Sequence, residues 1–189
     1  AMPAPRRGEI LLKAAQLLQE RKAQYSRDLT REMGKPVAQG VGEVEFSAAI
    51  YEYYADNAET FLADEPIELL AGTGDALIRR TSLGVLLGIM PWNFPYWQSM
   101  RGAIPILLGG NGYYLKHAPN VMGCAYLTER VMREAGLPAG TFKAVNLSND
   151  QVSKAINDPR IAAVAVTGSV RAGSAIAAQS GAGAGDFFD

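Results

Sequence analysis

The sequence predicts an α/β protein built around an open, doubly wound parallel sheet. Four short apolar segments, LGVLLGIM, YYLK, FKAVN and IAAVAV, follow one another between residues 83 and 166. The segments long enough for crossover helices are roughly 98–108, 120–135, 149–157 and 170–180. Strands that are apolar on both faces and separated by helices are typical of a parallel sheet covered on both sides. Right-handed crossovers would connect them.

The first 65 residues predict two amphipathic helices that pack inward. The apolar positions of the first helix are Leu11, Ala14, Leu18, Tyr25 and Leu29. Gly34 and Pro36, in MGKP, end it. The apolar positions of the second helix are Val44, Ala48, Tyr51, Ala55, Ala58 and Leu62, which recur at steps of three and four.

Residues 66–82 predict a β-hairpin. Its strands are PIELL and DALIRR, and a Gly72-Thr73-Gly74 turn lies between them. The last residues, SGAGAGDFFD, have an unusual composition. We therefore treat 182–189 as an atypical tail.

Charge and composition narrow the classes of partner. The chain of 189 residues has 18 basic and 19 acidic side chains, with no long block of one sign, so nucleic acid and anionic membranes are not expected partners. The apolar stretch from Leu83 to Pro91 is too short to span a bilayer, and AMPAPRRGEI is not a signal peptide. One cysteine excludes an internal disulfide framework, and the cytosol is the expected compartment. No metal site is predicted.

The residues of chemical interest follow the predicted strands. Pro91 to Pro95 come after the first strand, Lys116 after the second, and TGSVRAG, residues 167–173, after the fourth. Because ligands of open α/β sheets bind at the carboxyl ends of the strands, we expect the three segments to meet at one crevice.

TGSVRAG has two interpretations. Its backbone N–H groups and the dipole of the following helix could hold a phosphate, with Gly168 and Gly173 supplying a turn and a close packing contact and Ser169 adding a hydroxyl. Alternatively, Ser169 simply caps a helix after a glycine turn. The spacing does not match the G-x-G-x-x-G fingerprint.

Three further residues have a predicted role. Lys116 could reach ribose hydroxyls or a phosphate as a point charge. His117, the only histidine, has no obvious triad partner and is expected at the surface or in a supporting position. Cys124 lies on an apolar helical pattern, which predicts a buried, inert thiol.

IMPWNFPYWQ, LKHAPN and VTGSVRAG, in this order and spacing, resemble the aldehyde dehydrogenase superfamily. The resemblance runs from about Pro5 to about Gly181. YYLKHAPNVMGCA is most similar to the bacterial NAD(P)-dependent succinate semialdehyde dehydrogenases. The resemblance implies an aldehyde dehydrogenase-like fold with four parts. These are a helical segment of the cofactor-binding domain (1–65), an oligomerisation-type hairpin (66–82), an incomplete Rossmann-like NAD(P)-binding core (83–181) and the tail (182–189), without a catalytic domain.

The resemblance also assigns roles to residues. In this family a cysteine thiolate attacks the aldehyde and an asparagine amide binds the resulting oxyanion; Asn93 matches that asparagine, and Pro91 and Pro95 would stiffen its loop. By the same carry-over, Trp92 lies beside the dinucleotide phosphates, Lys116 contacts the adenosine ribose, and Thr167 and Ser169 line the nicotinamide and pyrophosphate region. The full set of cofactor residues is Ile89, Pro91, Trp92, Asn93, Lys116, Thr167, Gly168 and Ser169.

The family's nucleophilic cysteine and general-base glutamate do not appear in this sequence. The expected function is NAD(P)-dependent oxidation of an aldehyde such as succinate semialdehyde to the acid, with no activity from this chain alone. The alternative is a catalytically inactive fragment, or a nucleotide-binding or assembly module. Pro119 stands where many NAD-selective relatives have a glutamate, so NADP should be tolerated or preferred. Association with another copy or with a full-length relative is also expected.

Overall fold

The fold was analysed in a computed structural model, which describes residues 2–182. The helices are α1 (Ala4–Glu20), α2 (Lys22–Met33), α3 (Val37–Asp56), α4 (Ala58–Leu62), α5 (Pro95–Leu108), α6 (Met122–Ala135), α7 (Asn149–Ile156) and α8 (Val170–Ala182), with a 3-10 helix over Pro119–Val121. The strands are β1 (Glu65–Ile67), β2 (Ala76–Ile78), β3 (Val85–Met90), β4 (Gly112–His117), β5 (Phe142–Ala144) and β6 (Ile161–Val166).

The predicted doubly wound parallel sheet is confirmed. Four strands pair in parallel in the order β5-β4-β3-β6. The chain therefore moves outward from β3 to β5 and then returns to the other side of β3 to form β6. In such sheets, ligands bind where the strand order changes direction, which here is at the carboxyl ends of β3 and β6.

The helices form layers around this sheet. Helices α5 and α6 pack against the strands, and α1, α2 and α3 contact them from the outside. Helices α7 and α8 contact each other and β6. The main core lies between the N-terminal helices and α5 and α6, and it includes the buried side chains of Leu11, Tyr51 and Ile104.

Each of the two predicted N-terminal helices is broken once. At Arg21 and Asn57 the backbone takes φ, ψ of −107°, 11° and −103°, 10°, between the helical and extended regions. Arg21 forms an ion pair with Glu134 of α6, and the Asn57 side chain donates to the carbonyl of Tyr53, which competes with helix continuation. The predicted apolar stripes nevertheless pack inward, and only Ala55 and Leu62 among them are half-buried. Gly34 ends α2 in the left-handed conformation, as MGKP predicts.

The hairpin is confirmed, but its strands are shorter than predicted. Strands β1 and β2 pair over three residues each, and the second half of PIELL lies in the loop. A two-stranded hairpin has little stability by itself. Leu70 is fully exposed, and Ile67 and Ile78 are each 46% exposed, so within residues 2–182 the apolar side chains of this element are only partly covered.

Candidate functional site

The three predicted site segments meet at one edge of the sheet. Ile89 of β3 lies in register with Lys116 of β4 on one side and Val166 of β6 on the other. The Thr167 N–H donates to the Ile89 carbonyl at 3.0 Å, which continues the pairing past the end of β6. The expected convergence of strand ends is therefore present in the structure.

The PWNFP loop lies between β3 and α5, beside this edge. Pro95 occupies the first turn of α5, where its fixed φ suits a helix start and its missing N–H costs no hydrogen bond. Trp92 is 53% exposed, and Asn93 is exposed. Asn93 is thus exposed in the loop that follows the carboxyl end of β3.

Two residues that the sequence analysis did not single out hold this loop. Glu43 of α3 accepts hydrogen bonds through Oε1 from the N–H groups of Tyr96, at 2.8 Å, and Trp97, at 3.3 Å. Lys35 forms an ion pair with Glu43, and its Nζ donates to the Asn93 carbonyl at 2.9 Å. A buried carboxylate at the start of α5 also suits the positive end of the helix dipole.

His117 holds the end of the same loop, and its predicted surface position is wrong. The side chain is 1% exposed at the end of β4. Its Nδ1 accepts from the N–H of Ala118 at 3.0 Å, so Nε2 carries the proton and donates to the Pro95 carbonyl at 3.0 Å. The Ser99 hydroxyl donates to the same carbonyl at 2.8 Å. The supporting role that was the other part of this prediction matches these contacts.

His117 is expected to make stability depend on pH. Burial lowers the pKa of His117 below its ordinary value, since the charged ring would lose hydration. The unfolded chain, with a histidine pKa of about 6.5, then binds a proton more readily than the folded chain. The contribution of His117 to stability should be fully present well above a pH of about 6.5 and should fall as the pH is lowered through and below that value.

Thermal unfolding followed by circular dichroism across this pH range measures the effect. His117→Gln is the control, because it removes the only imidazole and should flatten the dependence of Tm on pH. An equally steep pH dependence in His117→Gln would contradict the assignment to this residue.

Arg101 is a further residue of the site that the sequence analysis missed. It lies on α5, is exposed, and its Nη2 donates to the Thr167 hydroxyl at 3.3 Å. Its guanidinium lies 5.8 Å from the ring of Trp97. Arg101 therefore brings a positive charge to the place where α5 passes the end of β6. A cationic side chain on a helix is normally solvated. Only the hydrogen bond to Thr167 distinguishes Arg101 from an ordinary surface arginine.

The TGSVRAG segment has the geometry of a capped helix. The Ser169 hydroxyl accepts from the N–H of Ala172 at 3.2 Å, and α8 begins at the next residue, Val170. The alternative interpretation of Ser169 is thus present in the structure. The close packing contact predicted for Gly173 is wrong for residues 2–182, because a Cβ at this position would meet nothing within 4 Å. Gly168 is exposed at the strand edge.

Lys116 and Cys124 occupy different environments. Lys116 is half-buried at the carboxyl end of β4, as predicted. Cys124 is fully buried in α6, and burial raises the pKa of its thiol, which confirms the predicted buried thiol. In residues 2–182, no three His, Cys, Asp or Glu side chains come together in a way that could hold a metal ion.

An open groove borders the PWNFP loop on its α3 side. It has a volume of about 520 Å³, and its lining includes Phe46, Phe94 and Trp97 together with the Lys35–Glu43 pair. Phe94 and Trp97 meet edge to face, with ring centroids 5.4 Å apart. Such an apolar groove beside exposed polar groups is the usual form of a small-molecule site.

Doubly wound parallel sheets of this kind bind small ligands, dinucleotides among them, at the carboxyl ends of their strands. Residues 1–186 match the model of the aldehyde dehydrogenase family. The chain belongs to the aldehyde dehydrogenase family. The helices found within residues 2–182 include none with both the length and the apolar character that crossing a membrane requires.

Named relatives support this assignment. The chain is 52% identical over 176 residues to the succinate semialdehyde dehydrogenase NAD(P)+ Sad of Escherichia coli (strain K12), covering 93% of this chain and 38% of the relative. It is 44% identical over 168 residues to the succinate-semialdehyde dehydrogenase NADP(+) of Mycobacterium leprae (strain TN), covering 88% of this chain and 37% of the relative. The chain therefore spans less than two-fifths of the length of these relatives.

A solved structure agrees with the family assignment and with the similarity to succinate semialdehyde dehydrogenases. Succinic semialdehyde dehydrogenase from Streptococcus pyogenes in complex with NADP+ superposes with a TM-score of 0.92 at 38% identity. The match covers 95% of this chain and 39% of that one. The fold predicted from the sequence resemblance is thereby confirmed.

Proposed function

We propose that this chain supplies the nucleotide site and the oxyanion-binding amide of an enzyme that oxidises succinate semialdehyde, or a similar semialdehyde, to the acid with NAD(P)+. One observation carries the proposal: the exposed Asn93 lies at the same sheet edge as Ile89, Lys116 and Thr167. The names of the relatives support the substrate class. The cytosol, expected from the single cysteine, remains part of the proposal.

Asn93 would act through its side-chain N–H. When a thiolate attacks an aldehyde, the carbonyl oxygen becomes negatively charged, and a fixed donor that stabilises this charge contributes about 3–4 kcal/mol to lowering the barrier. An amide suits this role because it donates without a titrating proton. The attacking thiolate would come from a cysteine other than Cys124. Cys124 is the only cysteine of this chain, and it is buried in α6.

The carboxyl edge of the sheet fits a dinucleotide. Lys116 offers a cation to ribose or phosphate, and the exposed Gly168 and Ser169 lie where α8 begins. Helix N-termini of this kind favour phosphate groups. The Ser169 hydroxyl accepts from Ala172 and so keeps its own proton to donate. When bound, NAD(P)+ would accept the hydride released from the substrate carbon.

Arg101 suits a substrate that carries a carboxylate as well as an aldehyde. A guanidinium presents a planar fork of donors that matches carboxylate oxygens. The described hydrogen bonds of Arg101 to side chains use only Nη2. Its place on the helix that follows Asn93 makes it the residue we propose for binding the semialdehyde carboxylate.

The chain is expected to bind NADP+ at least as tightly as NAD+. Pro119 is exposed at the start of the 3-10 helix, three residues after Lys116, and it carries no carboxylate that would repel a 2′-phosphate. Titrations of the purified chain with each cofactor, followed by tryptophan fluorescence, measure the two affinities. A preference for NAD+ of about tenfold or more would contradict the prediction.

Pro119→Glu provides the matched variant. The added carboxylate should weaken NADP+ binding while leaving NAD+ binding unchanged or tighter. An unchanged ratio of affinities in Pro119→Glu would place position 119 outside the ribose site.

The proposed function is tested with a chimera. Residues of this chain replace the matching segment of 176 residues in the Escherichia coli relative, and NADPH formation from succinate semialdehyde is measured by absorbance. Turnover by the chimera is expected, whereas the 189-residue chain alone should give none. A folded chimera that binds NADP+ without turnover would instead favour a nucleotide-binding or assembly module.

A further inference from the structure

We propose that the buried Lys35–Glu43 ion pair is a positioning device for Asn93, holding the PWNFP loop so that the amide is directed into the crevice. This inference rests on the proposed function of Asn93. Lys35 and Glu43 would be positioning residues, because neither contacts a reacting atom.

The pair is buried, which a purely stabilising role does not explain well. Lys35 is 7% exposed and Glu43 is 5% exposed. Removing two charges from water carries a large desolvation cost, so a buried ion pair often contributes little net stability compared with apolar side chains. Such pairs can instead select one conformation among several.

The contacts of the pair identify the segment that it holds. From Lys35, Nζ donates to the carbonyl of Asn93 at 2.9 Å and lies 3.7 Å from the ring centroid of Phe94. From Glu43, Oε1 accepts from the N–H groups of Tyr96 and Trp97. The described side-chain contacts that leave the pair thus reach four residues of one segment, 93–97.

The pair is itself fixed to the N-terminal helices. Glu43 belongs to α3, whose neighbouring residue Val44 is buried in the core. The backbone of Lys35 is held by the Thr30 hydroxyl, which donates to the Lys35 carbonyl at 2.6 Å. The segment 93–97 is therefore tied through two side chains to the layer of N-terminal helices.

This arrangement suits the requirement on an oxyanion donor. Such a donor is effective only when it is already oriented before the charge develops. A hydrogen bond to the Asn93 carbonyl restricts the backbone from which the side-chain amide extends. The charge of Glu43 compensates that of Lys35, so the pair can hold the loop without leaving an unpaired charge beneath it.

The two tryptophans of the chain make the loop directly observable. Trp92 precedes Asn93 and Trp97 lies at the start of α5, and the chain contains no others. The test uses the 189-residue chain and measures acrylamide quenching and emission maximum of the tryptophans. Lys35→Met and Glu43→Gln are expected to raise the quenching constant about twofold, because a loosened segment admits quencher more often.

Glu32→Gln is the matched control. Glu32 also uses a carboxylate to hold a helix start, accepting from the N–H groups of Gly123 and Cys124 at 2.8 Å each, but it does not contact the loop. Its quenching should equal that of the unaltered chain. Equal increases in Glu32→Gln and Glu43→Gln would overturn the proposal, since they would report general loosening.

A double variant keeps the test decisive if the single variants unfold. Lys35→Met combined with Glu43→Leu removes both charges, so neither is left unpaired in the interior. We expect it to fold with a Tm near that of the unaltered chain while its quenching constant remains raised. A folded double variant with unchanged quenching would overturn the positioning role. The quenching measurements do not depend on turnover by the chimera. The positioning role of the ion pair and the proposed enzymatic function can therefore fail independently.

Discussion

Asn93→Ala is expected to lower kcat of the chimeric enzyme by about 10²–10³, the usual cost of losing one oxyanion donor. The binding of NADP+ should change little, because the residues proposed for the nucleotide are Lys116 and the start of α8. The KM for succinate semialdehyde should also change little, since the lost hydrogen bond strengthens only as the oxyanion forms. Steady-state kinetics, measured while NADP+ and succinate semialdehyde are each varied in turn, distinguish the effect on kcat from the effects on the two KM values.

The matched control is Asn120→Ala. Asn120 is an exposed asparagine in the 3-10 helix after β4, at the same edge of the sheet but outside the proposed site. The kcat of the chimera that carries Asn120→Ala should equal that of the unaltered chimera. If Asn93→Ala retains kcat within about threefold, the amide does not bind the oxyanion.

Light scattering of the purified chain is expected to give a mass well above the 20.2 kDa of one copy. Strand β6 pairs only with β3 in the described sheet, so its other edge offers free backbone groups for pairing. Val166 and Val170, beside this edge, are 39% and 87% exposed. The hairpin adds exposed apolar side chains at Ile67 and Ile78. Open strand edges and apolar patches of this kind promote association.

Lysine substitutions identify which surface associates. Ala162→Lys places a charge on the exposed part of β6, and Ile78→Lys places one on the hairpin, whereas Ala139→Lys changes an exposed loop as the control. We expect at least one of Ala162→Lys and Ile78→Lys to lower the mass measured by light scattering. Ala139→Lys should leave that mass unchanged. A monodisperse monomer at micromolar concentration with a sharp cooperative melt would contradict the prediction.

The sheet and its ligand edge could be predicted because both depend on patterns local to the sequence. Each of the four apolar segments forms a strand, and IAAVAV does so over its full length. Parallel strands share one carboxyl edge, so the order of the motifs alone placed Ile89, Lys116 and Thr167 together. The exposure of β6 differed from expectation, because an edge strand is only partly covered.

Helix interruptions and the burial of His117 could not be predicted in this way. The apolar spacing continues through Arg21 and Asn57, so no local signal marks the breaks. His117 follows Lys116 in a polar stretch, which resembles a surface segment. Its burial follows from the alternation along β4, in which Tyr113, Leu115 and His117 face the interior. This alternation was the feature of the sequence that could have predicted the burial of His117.

The sequence by itself determined the fold class, the edge of the sheet where the candidate site lies and the asparagine that we propose for it, because hydrophobic periodicity and the PWNFP motif are contained in short segments. Only the tertiary structure decided how that asparagine is held. Lys35 is 58 residues from Asn93, and Glu43 is 53 residues from Tyr96. A charged residue in a helical pattern carries no mark of its distant partner, since the partner is chosen by how the helices pack against the sheet.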